Sequence, residues 1–450
     1  VSDRPARHAA PRRDPAKGPS HARDLGRRSV ARVVGLAMTA ALAFVTVGAG
    51  TAALTLTGNI TAVDAEAALG TDRPTKEPPA DPSAGEALNI LLLGSDSRGG
   101  ANSDVVDDGT DGARSDTTMI MHIAADRSRV ELMSIPRDTT IDVPSCPTSA
   151  GETTPEMYGV KFNSAFAQGV LYGDDVESGA LCTMKTVETI TDVRMDGFVV
   201  VDFSGFEAMI DALDGVEMCI PEDIDSPKAD NLVLSAGVQS LDGETALKYA
   251  RARTGQGLGD GSDIGRIGRQ QELMAALART VLGQNLLTDS PQLLRFLDAV
   301  TGSLTMSSNF ASVQGLAGLA YSVRGLRPDT IAFMTVPWQY DPSNPNNVVL
   351  TEESVQVFDN LRSDVPLSDV IEPEPSASPE GGSSGDDEQT SSDDPTDAGG
   401  DASAGGDAGD GSTDAGTAEA SEPEQSPSPT QTRDAGEEAF TGADVTSVCG

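Results

Sequence analysis

Asn89-Ile90-Leu91-Leu92-Leu93 runs straight into Gly94-Ser95-Asp96-Ser97-Arg98, a short apolar run that breaks into a charged burst. A run of this length without polar alternation predicts a strand covered on both faces. Working outward, residues 117–124, 129–134, 198–201 and 331–336 read as further strands. Between them Phe203, Phe206, Ile210 and Leu213 recur at helical spacing, as do Leu273, Leu277 and Val281. Strands alternating with helices predict an α/β fold, a three-layer α/β/α domain around a mixed central sheet.

Around this domain the 450 residues divide by charge. Residues 1–32 carry a net +6, and residues 371–450 carry −19. The total of −39 leaves −26 between them. Such an acidic balance excludes a general nucleic-acid binder, which needs a basic footprint. Residues 33–56 are uncharged and rich in Ala, Val, Leu and Thr. At about 1.5 Å per residue they are long enough for a hydrocarbon core of roughly 30 Å, so they predict one transmembrane helix. The basic residues before it put the N-terminus in the cytoplasm and the rest outside the cell membrane. Ala65-Glu66-Ala67 also fits a signal-peptidase site, so a cleaved secretory signal is the second reading, and both export the rest of the chain. The expected organisation is a basic cytoplasmic arm (1–32), the membrane helix (33–56), an extracytoplasmic spacer (57–86), a catalytic domain (87–370, core 88–285) and a disordered acidic tail (371–450).

Cys146, Cys182, Cys219 and Cys449 lack C-x-x-C spacing, and in an exported chain they favour disulfides over a metal site. Cys146 with Cys182 is the preferred pairing, closing a polar loop onto a helix. The partners of Cys219 and Cys449 stay open.

His8 and His21 precede the span, so His122 is the one exported histidine of the sequence. A His-based zinc site or a Ser-His-Asp triad lacks its imidazoles. No phosphate-binding G-x-x-x-x-G-K-[ST] occurs, and the ladder Gly255, Gly257, Gly259, Gly261 does not follow a strand. What remains are Asp and Arg residues in bursts at the ends of apolar segments. These are Asp96 and Arg98; Arg114 and Asp116; Arg137 and Asp138; Lys161 and Asn163; Arg251 and Arg253; and Asp263, Arg266, Arg269 and Gln270. Strand ends are where ligands of α/β sheets bind. Spacings of three and four put Asp263, Arg266, Arg269 and Gln270 on one helix face. An extended chain after Ala250 would point Arg251 and Arg253 the same way. Converging guanidiniums match phosphate oxygens bidentately, and two carboxylates beside them suit a Mg²⁺-bridged pyrophosphate. Phe203, Phe206, Met209, Ile210, Leu273, Met274 and Leu277 are expected to line an apolar cleft for a lipid chain or to pack as ordinary core.

Taken in order, Gly94-Ser-Asp96-Ser-Arg98, Arg114-Ser-Asp116-Thr, Ser134-Ile-Pro-Arg137-Asp138, Lys161-Phe-Asn163, Asp202-Phe-Ser-Gly205-Phe206, Leu241-Asp-Gly243, Ala250-Arg-Ala-Arg253 and Asp263…Arg266-Ile-Gly-Arg269-Gln270 resemble the LytR-CpsA-Psr family. The resemblance spans about 88–285 and continues toward 370. It implies a membrane-anchored phosphotransferase that moves a glycan-phosphate from a polyprenyl-pyrophosphate-linked glycopolymer donor to peptidoglycan or a surface-protein acceptor. It implies Asp96 and Asp116 as the Mg²⁺ carboxylates. Arg98, Arg114, Arg137, Lys161, Arg251, Arg253, Arg266, Arg269 and Gln270 would hold the phosphates, with Asp96, Asp116, Arg137, Asp138, Arg251 and Arg253 as the catalytic set. Related sequences often carry Cys where this one has Val238, and no extra C-terminal domain is evident. The alternatives are a polyprenyl-pyrophosphate phosphatase using water, and a non-catalytic wall- or lipid-binding attenuator.

Overall fold

Leu91 and Leu93 turn to one face of a sheet and Ile90 to the other, with Leu92 packed on that second side, because side chains alternate along a strand. A computed structural model describes residues 61–78, 85–96, 113–259, 261–283, 304–367 and 439–444, with isolated positions 296, 299, 302 and 436. Its main sheet contains β1 (Thr61–Val63), β2 (Leu88–Ser95), β3 (Ser115–Ile123), β4 (Val130–Ser134), β5 (Gly197–Asp202), β6 (Leu304–Ser307), β7 (Ile331–Thr335) and β8 (Phe440–Thr441). Their spatial order is β1-β6-β5-β2-β3-β4-β7-β8. The sheet is mixed: β1–β6, β5–β2 and β4–β7 run parallel, and the other neighbours are antiparallel.

Helices α1 (Ser164–Gly173), α2 (Val176–Thr191), α3 (Phe203–Ala212), α4 (Gly243–Arg251), α5 (Asp263–Gly283) and α6 (Glu353–Arg362) complete the frame. Phe166 of α1, Leu181 and Met184 of α2 and Phe358 of α6 pack with Leu91, Ile120 and Phe198 on one face. Ala275 of α5 packs with Ile90, Met119 and Phe333 on the other, which gives the expected three layers. The far side of α5 presents Leu273 and Ala276 to a further cluster built from α3, α4 and the ribbon of Val216–Ile220 with Gly237–Leu241. Thus α5 is held between sheet and ribbon through its middle turns.

Two expected boundaries change. Residues 61–78 belong to the domain rather than to a spacer over 57–86: β1 joins the sheet, Ala65 and Leu69 are buried, and Arg73 chelates Glu188 at 2.6 and 2.9 Å. A buried bidentate Arg–carboxylate pair fixes this segment because removing either partner would leave the other charge uncompensated. Within the expected disordered tail, Phe440–Thr441 pairs with Ala332 and Phe333, and the Phe440 ring stacks on Phe333 at 5.1 Å. The sheet edge offers unpaired backbone groups and the aromatic offers apolar area, which together order this short piece. Gly436, with φ +85°, lies where a Cβ would meet the Ile264 carbonyl oxygen at 2.3 Å. The rest of the tail, the arm 1–32 and the span 33–56 lie outside the described residues, among which no helix is long and apolar enough to cross a membrane.

Cys146 and Cys182 are bonded as expected. Cys219 is also disulfide-bonded, and Cys449 lies outside the described residues. Val238 stands directly across the ribbon from Cys219.

His122 is structural. Its ring is fully buried, with Nδ1 2.7 Å from Asn89 Oδ1 and Nε2 3.0 Å from Asp364 Oδ1. Asp364 also accepts from the Ala125 backbone N–H and from Arg129. Burial opposes its ionisation, but the bonds from His122 and Ala125 and the charge of Arg129 prevail and hold the carboxyl below its ordinary range. A carboxyl lowered on folding contributes stability above its unfolded pKa and loses it as pH falls through the folded value. Asp364→Asn is therefore expected to be less stable at neutral pH and to lose less stability on acidification. Urea midpoints between about pH 3 and pH 7 check this, and parallel curves for the two proteins would refute it.

Candidate active site

The ends of β2 and β3 lie side by side, since Ser95 pairs with Ser115. Asp96 follows β2 opposite Arg114, and Asp116 is the extra residue of a bulge in β3, so both carboxylates stand at this end of the sheet. Asp96 Oδ1 accepts the Arg114 backbone N–H at 2.5 Å, and the Asp96 N–H donates back to the Arg114 carbonyl at 3.1 Å. Because β4 is antiparallel to β3, its exit returns to the same end, and Arg137 there reaches Asp116 Oδ1 at 2.6 Å. Lys161 closes the hairpin of Thr140–Val143 and Met157–Lys161 and meets Asp138 Oδ1 at 2.7 Å.

The first turn of α5 completes the group. Ser262 Oγ accepts the Gly265 N–H at 3.4 Å and so caps the helix. Asp263 Oδ1 then accepts a hydrogen bond from Arg253 Nη2 at 3.3 Å and is ion-paired with Arg266 Nη2 at 2.7 Å and Arg137 Nε at 3.0 Å. Arg266 also contacts Asp116, at 3.6 Å to its carboxylate and 3.1 Å to its carbonyl oxygen. Four cations (Arg137, Lys161, Arg253, Arg266) thus face three carboxylates (Asp116, Asp138, Asp263) at one end of the sheet. Burial, the largest influence, disfavours charge on both Asp263 and Arg266, pushing the carboxyl up and the guanidinium down. Burial also works against Arg137, but Asp263 and Asp116 more than offset it and its value rises. Asp263 Oδ2 and Arg266 Nε are buried without a hydrogen-bond partner.

Two clefts meet at Arg137, Asp138 and Lys161. One, of about 540 Å³, also has Arg114 at its polar end and Pro155, Met157, Ala167, Leu171 and Tyr172 beyond. The other, of about 450 Å³, is lined by Arg253, Ser262, Asp263, Tyr340 and Asn346.

Not every arginine singled out in the sequence joins them. The helix α4 runs one residue further than the extended reading required, so Arg251 is helical and its guanidinium lies over the Phe203 ring at 4.6 Å, while Arg253 turns to Asp263. Helical phase separates Arg269, which at 100° per residue sits about 120° from Asp263 around the axis, whereas Gln270 shares the phase of Asp263 but lies two turns, roughly 10 Å, further along. Arg269 instead donates to the carbonyls of Leu258 and Ala252, and Gln270 to that of Ala250 at 3.2 Å. These bonds hold the loop that carries Arg253. The glycine ladder belongs to the same loop; Gly257 has φ +71°, and a Cβ there would meet the Asp223 carbonyl at 2.3 Å. Arg98 lies outside the described residues. Of the residues expected to line a lipid cleft or to pack as core, Ile210 and Leu273 are buried with Phe206 and Leu277 against them, Met274 packs on the sheet, and Phe203 and Met209 are half-buried. Asp263, named in the sequence only as one member of a helix face, is the residue on which three arginines meet. Its position three residues before Arg266 was the available signal.

The model of the LytR_cpsA_psr family matches residues 52–364. A probable cell wall biosynthesis protein LcpB of Corynebacterium glutamicum is 34% identical over 243 residues, covering 53% of this chain and 52% of that protein. The chain thus spans about half the length of that relative. A Bacillus subtilis protein described as polyisoprenyl-teichoic acid–peptidoglycan teichoic acid transferase TagT is 27% identical over 287 residues, covering 62% of this chain and 77% of that one. Among solved structures, a LytR-Csp2A-Psr enzyme from Actinomyces oris covers 67% of this chain and 96% of its own, at 22% identity and a TM-score of 0.46.

Proposed function

Since the chain belongs to the LytR_cpsA_psr family, we propose that it transfers a glycan-phosphate from a polyprenyl pyrophosphate carrier to a cell-wall acceptor hydroxyl, such as one on peptidoglycan. The observation that carries this reading is the meeting of Arg137, at the exit of β4, with Arg253 and Arg266, which flank the loop into α5 more than a hundred residues later, with Lys161 alongside. Fixed guanidiniums are matched to phosphate oxygens and strengthen their hold as negative charge develops in transfer. The acceptor hydroxyl gives its proton to a carboxylate of the group or to water as its oxygen bonds to the sugar-bearing phosphorus, the bond from that phosphorus to the bridging oxygen breaks, and polyprenyl phosphate leaves with that electron pair. Arg137 and Arg266 orient the reacting phosphate, and Arg253 and Lys161 stabilise the departing one. The apolar end of the larger cleft, at Met157, Leu171 and Tyr172, takes the isoprenyl units nearest the diphosphate.

Magnesium fits the donor set. Asp96 and Asp116 supply two hard carboxylates at paired strand ends, and Mg²⁺ is typically held by one or two carboxylates with the substrate's own phosphates. Among the described residues there is no group of three or more His, Cys, Asp or Glu that would hold an ion alone. When bound, the ion would neutralise phosphate charge. We further read residues 33–56 as the membrane anchor, with the domain outside the cell, a reading supported by the Cys146–Cys182 disulfide.

The test incubates the full chain with a lipid-linked glycan and Mg²⁺, with or without peptidoglycan. Glycan recovered on the wall supports transfer, free glycan phosphate supports the phosphatase, and absence of both products overturns the catalytic reading in favour of a binding protein.

A further inference from the structure

The arginine group needs an explanation of its own. Arg137 follows β4, whereas Arg253 and Arg266 flank the loop between α4 and α5, so no single element carries all three. Like charges this close repel, more strongly where water is excluded. The side chain of Arg266 is 4% exposed and that of Arg137 14%. One oxygen answers all three: Asp263 Oδ1, at 2.7, 3.0 and 3.3 Å, on a side chain itself 10% exposed.

We infer that Asp263 is the positioning residue of this site, holding Arg137, Arg253 and Arg266 in a fixed fan open to a diphosphate. The inference rests on the proposed donor site for the identity of the ligand, but not for the arrangement of the arginines. Arg253 meets Asp263 through one nitrogen and keeps the rest of its exposed fork for a ligand, while Arg137 and Arg266 are also held by Asp116. Arg253 is the outermost member, 43% exposed, and Asp263 is the one carboxylate through which it is ion-paired among the described residues. Asp116 contacts the other two, but Arg253 has no such second tie. Without Asp263, Arg253 would be set free and the buried pair would be left leaning on Asp116 alone. Burial at the start of α5 works against ionising Asp263, yet the helix N-terminus and three guanidiniums surround it with positive potential. The carboxylate is therefore kept at some expense to the fold, as expected for a group whose role lies in the site.

A positioning carboxylate and a mere placeholder for the phosphate predict opposite results. If Asp263 only filled the ligand's place, neutralising it would free the arginines and tighten binding. The experiment compares the full chain with Asp263→Asn and Asp263→Glu in two measurements. The first follows phenylglyoxal modification of Arg137 and Arg253 by peptide mass spectrometry, with exposed Arg327 as internal reference. Asp263→Asn is expected to speed modification of Arg253 above all, with Arg327 unchanged, and Asp263→Glu to restore protection. The second titrates inorganic pyrophosphate with Mg²⁺ by calorimetry. Asp263→Asn is expected to weaken binding roughly tenfold or more, because a buried charge cluster has lost one partner, and Asp263→Glu to recover most of it. Unchanged arginine reactivity, or pyrophosphate bound as tightly or more tightly by Asp263→Asn, overturns the inference. If Asp263→Asn fails to fold, Asp263→Glu decides: a folded Glu variant with freely reactive Arg253 overturns it. Failure of the unsubstituted chain to bind pyrophosphate overturns the donor-site reading instead, and the phenylglyoxal result then stands by itself.

Discussion

Arg137→Ala should lower kcat/KM for a polyprenyl pyrophosphate donor by about 10²–10³, the loss seen when one preorganised donor to a developing charge is removed. Arg137 is central to the site by position: it touches Asp116, Asp138 and Asp263, and it borders both clefts. No other side chain of the group spans these contacts, so no neighbour can take its place. Arg137→Lys keeps the charge but loses the planar fork, and should recover only a small part of the activity. The fold should survive either change, because Arg266 remains against Asp116 and Asp263. Steady-state kinetics on detergent-solubilised full chain, with circular dichroism as the folding control, checks this. Turnover within about twofold of the unsubstituted protein would remove the arginine cradle from the mechanism.

The second large effect is on stability. Cys146 and Cys182 are both fully buried and close a loop over a sequence separation of 36. Chain entropy alone assigns such a loop about 4 kcal/mol, and the double replacement by serine also buries two hydroxyls in an apolar cluster. The enclosed segment includes Lys161, Asn163 and α1, one wall of the larger cleft. Loss of the disulfide should therefore lower the urea midpoint strongly and loosen the cleft wall before the sheet, with β2 to β4 retaining amide protection longest. A stability change under about 1 kcal/mol would mean that the loop is already ordered in the unfolded chain.

Much of this architecture was legible in the residues. The segments at 89–93, 117–124, 129–134, 198–201 and 331–336 each became a strand of the main sheet, because short segments rich in apolar and β-branched residues between polar bursts have few other ways to bury that surface. The two end strands of the main sheet, which escaped notice, are short and depend on partners elsewhere. Thr61–Val63 is a strand only because Leu304–Ser307 runs beside it, and Phe440–Thr441 only because β7 ends the sheet with an open edge. Two and three residues carry no periodicity, so the segments read as spacer and tail.

The site divides in the same way. The order of charged bursts and the pairing of Cys146 with Cys182 could be read from the chain, since each burst marks the end of an apolar segment and strand ends gather at the edge of a layered domain. Which arginines meet was decided by tertiary structure. A single further residue of helix sent Arg251 to Phe203 rather than beside Arg253, and 100° per residue carried Arg269 away from Asp263 to the loop it braces. Local sequence determined the elements and the chemistry at their ends. Register and helix phase determined the direction of each guanidinium, because those depend on contacts between elements, from Arg253 with Asp263 ten positions away to Arg137 with Asp263 more than a hundred away.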